Sequence, residues 1–79
     1  MTVRVKLLAY FRKHLPADAQ GRWAEVELPE NATPAALIKK LGIPPKLVSL
    51  ILVNGECSGP GAFLKHDDEV RLLPPIPGG

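Results

Sequence analysis

The sequence predicts an α+β domain: one mixed sheet of four to five strands with one main helix packed on one face. Three observations point there. Residues 2–7 and 23–28 alternate apolar with polar side chains at the period of a half-buried strand. A single stretch around residues 33–42 shows helical spacing between clear start and stop signals. Later in the chain, an Asn-Gly dipeptide follows one strand-like run, and a second such run precedes a proline-rich end.

Each element has its own signal. Val3, Val5 and Leu7 alternate with Thr2, Arg4 and Lys6 to give a first strand. From Ala9 to Leu15 the spacing of Tyr10, Phe11 and Leu15 predicts a short helix or helical turn, broken at Pro16. Ala24, Val26 and Leu28 against Glu25 and Glu27 give a second strand, ended by Pro29. Thr33 can cap a helix, Pro34 suits its first position, Leu37, Ile38 and Leu41 form the apolar stripe, and Gly42 stops it. This is expected to be a long helix, and Pro44-Pro45 forbid its continuation. Leu50 to Val53 is a third strand closed by Asn54-Gly55, the dipeptide suited to a type I′ turn, after which Glu56 to Ser58 can pair back. Asp67-Asp68 then turn the chain into a last strand, Glu69 to Leu73. Strands one and two are close enough to pair antiparallel. With the first and last strands parallel in the middle of the sheet, the arrangement is a β-grasp.

Composition bounds the function. Seventy-nine residues make one domain, and 46% hydrophobic with 23% charged residues is ordinary globular composition. Ten basic and eight acidic side chains give a formal charge of +2, too weak a field to argue for nucleic acid or a membrane surface. One cysteine, Cys57, excludes an intramolecular disulfide and any cysteine-rich metal site, and suits a reducing cytoplasm. The start alternates apolar and charged residues instead of showing a signal peptide, and no 18-residue apolar span occurs, so a soluble protein unprocessed at its start is expected. His14 and His66 have no third ligand at metal-like spacing, Asp67, Asp68 and Glu69 read as turn formers and edge charges, and Trp23 and Phe63 read as packing groups. No metal site and no catalytic side chain is assigned, so the chain is not read as an enzyme.

Three of the nine prolines and two of the seven glycines fall in the last six residues, where the chain ends Leu72-Leu73-Pro74-Pro75-Ile76-Pro77-Gly78-Gly79. Three prolines in four positions remove backbone donors and fix φ, so residues 74–79 form an extended, semi-rigid arm beyond a domain of residues 1–73. Six residues reach roughly 20 Å. Two glycines without Cβ let a terminal carboxylate enter a channel that a side chain would block.

A chain of this length that runs VRVKLLAYFRKHL, VELPENATPAALIKKLGIPP, LILVNGE and DDEVRLLPPIPGG resembles the MoaD/ThiS family of ubiquitin-like sulfur carrier proteins along essentially its whole length. Through the LVNGE hairpin, the acidic turn and the Pro-Pro before Gly-Gly, it resembles the molybdopterin synthase small subunits more closely. Pro77 departs from the small residue common in such tails. The resemblance implies a carrier, a co-substrate with chemistry at Gly79. An E1-like adenylating enzyme would use ATP and Mg²⁺ to form the acyl-adenylate, and a persulfide sulfur would convert it to a thiocarboxylate. The sulfur is implied to feed dithiolene formation in molybdopterin (molybdenum or tungsten cofactor) synthesis, with a synthase large subunit as the accepting partner. Thiamine or cysteine synthesis, and ubiquitin-like modification of proteins, are the alternatives. No cofactor is implied on the chain itself.

Periodicity offers a docking surface for these partners. With Ile51, Val53, Val70 and Leu72 inward, the open sheet face presents Leu50, Leu52, Arg71 and Leu73 beside Arg4, Lys6 and Leu8. Leu52, Leu73 and Arg71, with the arm residues Pro74, Pro75, Ile76 and Pro77, are the expected partner contacts, and Gly78 and Gly79 the reactive end. In the alternative, the loop from Gly59 to Leu64 covers Leu50 or Leu52.

Overall fold

The computed structural model describes residues 1–7, 9–14, 21 and 23–75, with the backbone alone at 9, 10 and 12. The expectations for Leu8, Leu15, Pro16 and residues 76–79 lie outside the described residues. β1 (Thr2–Leu7) leads through a 3-10 helix (Ala9–His14) to β2 (Trp23–Glu27). Then come α1 (Pro34–Lys40), a second 3-10 turn (Pro45–Leu47), β3 (Leu50–Val53), β4 (Glu56–Cys57) and β5 (Glu69–Leu73).

The strands form one five-stranded mixed sheet in the order β2-β1-β5-β3-β4. β1 pairs antiparallel with β2 and parallel with β5, and β5 pairs antiparallel with β3. This is the β-grasp arrangement, with the first and last strands adjacent at the centre. Val3, Val5, Leu7, Val70 and Leu72 are fully buried on the face that receives Leu37 and Ile38 of α1. Their alternation with exposed or half-buried neighbours is the parity expected from the sequence.

Local chemistry sets the ends of each element. The Thr33 hydroxyl accepts from the Ala36 amide at 3.3 Å, and such a cap contributes about 1 kcal/mol. Gly42 follows the helix at φ +76, a left-handed conformation that costs a residue with a Cβ and ends the helical run. The helix runs between the expected start at Thr33-Pro34 and stop at Gly42, and those signals leave room for only seven residues, two turns rather than a long helix. The first helical stretch is a 3-10 helix whose Phe11 is buried in the core. Pro44-Pro45 do more than end a helix. Pro45 starts the 3-10 turn, whose Leu47, with the following Val48, packs against the core. Asn54 and Gly55, at φ 53 and 85, make the two-residue hairpin that pairs Val53 with Glu56.

Three side chains sit differently from expectation. Phe63 is 72% exposed and contributes nothing to the core, while its neighbour Leu64 is buried. Trp23 lies on the outer sheet face, because Ala24 and Val26 take the inward parity of β2. Asp68 is only 9% exposed and hydrogen-bonded, in contrast to the turn-forming edge charge expected there.

Candidate functional site

The sheet face opposite α1 is organised in cross-strand rungs. Register pairs place Trp23 beside Lys6, Lys6 beside Arg71, Arg71 beside Leu52, and Leu52 beside Cys57. This outward rung crosses all five strands. Two residues away along β5 on one side lies Glu25–Arg4–Glu69, and on the other lies Leu73 paired with Leu50. The face thus grades from net acidic, through cationic, to apolar at the end where the chain leaves the sheet.

The expected contact residues Leu52, Arg71 and Leu73 are brought together here. Leu50 is 37% exposed, and Leu52 and Leu73 are half-buried. The loop after β4 does not cover them. Its Pro60 carbonyl accepts from Ala35 and its Leu64 amide donates to Ala32, which ties the loop to the helix side of the sheet. An exposed apolar group rimmed by charge is a surface suited to a partner.

Trp23, missed as a site residue, stands at the β2 end of the rung and gathers three cations over its ring. The Arg4 guanidinium lies 4.8 Å from the ring centroid, the Lys6 ammonium 5.5 Å and the Arg71 guanidinium 5.9 Å. Each contact of this kind contributes about 0.5–1 kcal/mol at an exposed site. Arg4 is also paired with Glu69 at 2.9 Å. The signal for Trp23 was present in the sequence, since counting back from Val26 makes it outward.

The ladder holds β5 to its last residue. The Ser49 amide donates to the Leu73 carbonyl at 2.9 Å, after which Pro74 is half-buried and Pro75 exposed with no regular structure. Proline offers no amide, so the ladder cannot extend into the arm. Ile76, Pro77, Gly78 and Gly79 lie outside the described residues. Elsewhere, His66 Nδ1 accepts from the Thr2 amide at 3.0 Å. Among the described residues no group of three or more His, Cys, Asp or Glu is placed to hold a metal, and no helix is long and apolar enough to cross a membrane.

Fold and open face together define the class of protein, a ubiquitin-like β-grasp domain. The ThiS family model matches residues 8–79, and the chain belongs to that family, the MoaD/ThiS group of ubiquitin-like sulfur carriers and modifiers. No curated protein matches it in sequence. Among solved structures it is similar to the putative molybdopterin converting factor subunit 1 from Pyrococcus furiosus, at 29% identity over 95% of this chain and 98% of that one, TM-score 0.69. Small archaeal modifier protein 1 from H. volcanii shares its fold at 24% identity over 95% and 98%, TM-score 0.72. Subunit 1 of the molybdopterin-converting factor from Helicobacter pylori, solved in complex with subunit 2, shares it at 22% identity over 100% of both chains, TM-score 0.61. Members of the family are small carriers that are not themselves catalytic.

Proposed function

We propose that the chain carries sulfur on the carboxylate of Gly79 for molybdopterin synthesis in the cytoplasm. One observation carries the reading: β5 lies at the centre of the sheet and ends, at Leu73, beside the apolar end of an open face. A partner docked on that face lies within reach of an arm of roughly 20 Å. The 29% identity to the Pyrococcus furiosus subunit supports the molybdopterin assignment. The Helicobacter pylori complex supports a synthase large subunit as the acceptor partner.

The chemistry belongs to the arm's end and to the partner. A carboxylate is a poor electrophile, so one Gly79 oxygen attacks the α-phosphorus of ATP on an E1-like adenylating enzyme, and pyrophosphate leaves. Mg²⁺ held by that enzyme offsets the phosphate charge. A persulfide sulfur then attacks the acyl carbon and AMP leaves, and cleavage of the S–S bond by a thiol frees the thiocarboxylate. The chain contributes position: its face sets the arm's starting point, and Pro74 and Pro75 limit the directions it samples.

Deletion of Gly79 tests this reading. The shortened chain keeps its melting curve and loses all ATP–pyrophosphate exchange with the adenylating enzyme. Undiminished exchange overturns the proposal.

A further inference from the structure

We propose that the partner surface received by the open face is acidic, and that Trp23, Lys6 and Arg71 together bind a carboxylate on it. The inference rests on the docking role given above and adds the chemistry of the partner.

Lys6 and Arg71 are directly opposed in the β1–β5 register, and like charges opposed across strands destabilise a sheet. Arg4 is matched by Glu69, but among the described residues neither Lys6 nor Arg71 has an ion-pair partner. Both instead lie over the Trp23 ring. An indole face attracts cations without neutralising them, so two positive charges converge on one ring, and among the described residues no ion pair neutralises either of them. A carboxylate arriving from outside relieves that repulsion. It can take two parallel hydrogen bonds from the Arg71 guanidinium and a charge contact from Lys6, while the ring supplies a rigid apolar floor.

The surroundings select the type of anion. Glu25, Glu27 and Glu69 project from the neighbouring positions of the same face. A nucleic-acid backbone needs cations spread along its length and is repelled by these acids, whereas a single carboxylate is not. Leu52, next to Arg71 in the same rung, supplies apolar area, so the cations set orientation and encounter rate. The Leu73–Leu50 pair lies one rung nearer the arm, about 7 Å along the strand. The partner's acid therefore sits beside the mouth of the channel that takes the arm.

The test is the association rate of the full chain with the E1-like adenylating enzyme of the same cell, at about 0.05 M and about 0.5 M salt. The double variant Lys6→Gln with Arg71→Gln associates about tenfold or more slowly at low salt and converges with the parent at high salt. Trp23→Leu dissociates faster while keeping the salt dependence of association. Leu52→Asp binds poorly at both salts. If the double variant keeps the parent's rate and salt slope while Leu52→Asp still fails, the acidic-partner inference falls and the docking role stands. If Leu52→Asp also binds normally, both fall. A short single-stranded RNA that binds the parent at physiological salt and competes with the enzyme overturns the inference in favour of a polyanion.

Discussion

The Asn54 side-chain amide donates to Oδ1 of the buried Asp68 at 2.9 Å, tying the β3–β4 turn to the turn that launches β5. Asn54 Oδ1 accepts from the Glu69 amide at 2.9 Å, its backbone amide donates to the Glu69 carbonyl at 2.8 Å, and Asp68 Oδ2 accepts from the Lys65 amide at 2.8 Å. These bonds fix the register of β5 against β3. A slip of one residue would turn Arg71 and Leu73 inward and dismantle the open face, so this clamp, at the far end of the strand from the arm, sets the site's geometry.

Loss of the clamp is measurable by urea denaturation. Asp68→Ala leaves two part-buried donors without their acceptor and costs about 1–2 kcal/mol. Asn54→Gly keeps access to the left-handed conformation and loses only the side-chain bonds, about 1–2 kcal/mol. Asn54→Ala adds a conformational penalty of about 1–2 kcal/mol. Equal stabilities for the Ala and Gly variants contradict the strain assigned to φ 53.

Two glycines with equally open surroundings should respond differently to a methyl group. Neither Gly42 nor Gly59 has any atom within 4 Å of an added Cβ, but only Gly42 has positive φ, at +76. Gly42→Ala should cost about 1 kcal/mol, while Gly59→Ala should change stability by less than about 0.5 kcal/mol. Thermal unfolding of the pair isolates backbone strain from crowding.

Leu37 and Phe63 invert the expectation from size alone. Leu37 is fully buried and Leu37→Ala should cost about 2–5 kcal/mol, a large part of a small domain's stability. Phe63 is mostly in water, and Phe63→Ser should shift stability by less than about 0.5 kcal/mol. Chemical denaturation of both variants reads the difference.

Ile51 and Leu52 are adjacent and face opposite sides of the sheet. Ile51→Asp places a charge in the core and should prevent folding. Leu52→Asp should keep a cooperative unfolding transition and weaken binding to the adenylating enzyme by about tenfold or more. Wild-type affinity in the folded Leu52→Asp chain contradicts the docking role.

Most of the fold is legible where a single physical rule acts. Alternation at Val3, Val5 and Leu7, the Thr33-Pro34 start, the Gly42 stop and the Asn54-Gly55 turn each depend on local chemistry, and each element lies where the sequence places it. Parity likewise puts Leu52, Arg71 and Leu73 on one face. What the sequence hides depends on tertiary placement. Asp68 reads like its neighbour Asp67, and only the approach of Asn54 and the Lys65 amide makes one of them buried and the other exposed. Phe63 and Leu64 are equally apolar, and the Leu64–Ala32 backbone bond decides which one turns inward. Pro45 carries two opposite signals, helix breaker and helix starter, and the second prevails because Leu47 reaches the core. Parity in the sequence already turns Trp23 outward, and only the pairing of β1 with β2 and β5 brings Arg4, Lys6 and Arg71 over its ring.

Sulfur loading is read most directly from the intact mass of the protein purified from its native host under reducing conditions. The expected result is a thiocarboxylate species, heavier by the replacement of one oxygen with sulfur and lost on deletion of Gly79. An unaltered mass after supply of ATP, the adenylating enzyme and a persulfide donor contradicts it, as does a ladder of conjugates joined to other proteins in place of the thiocarboxylate.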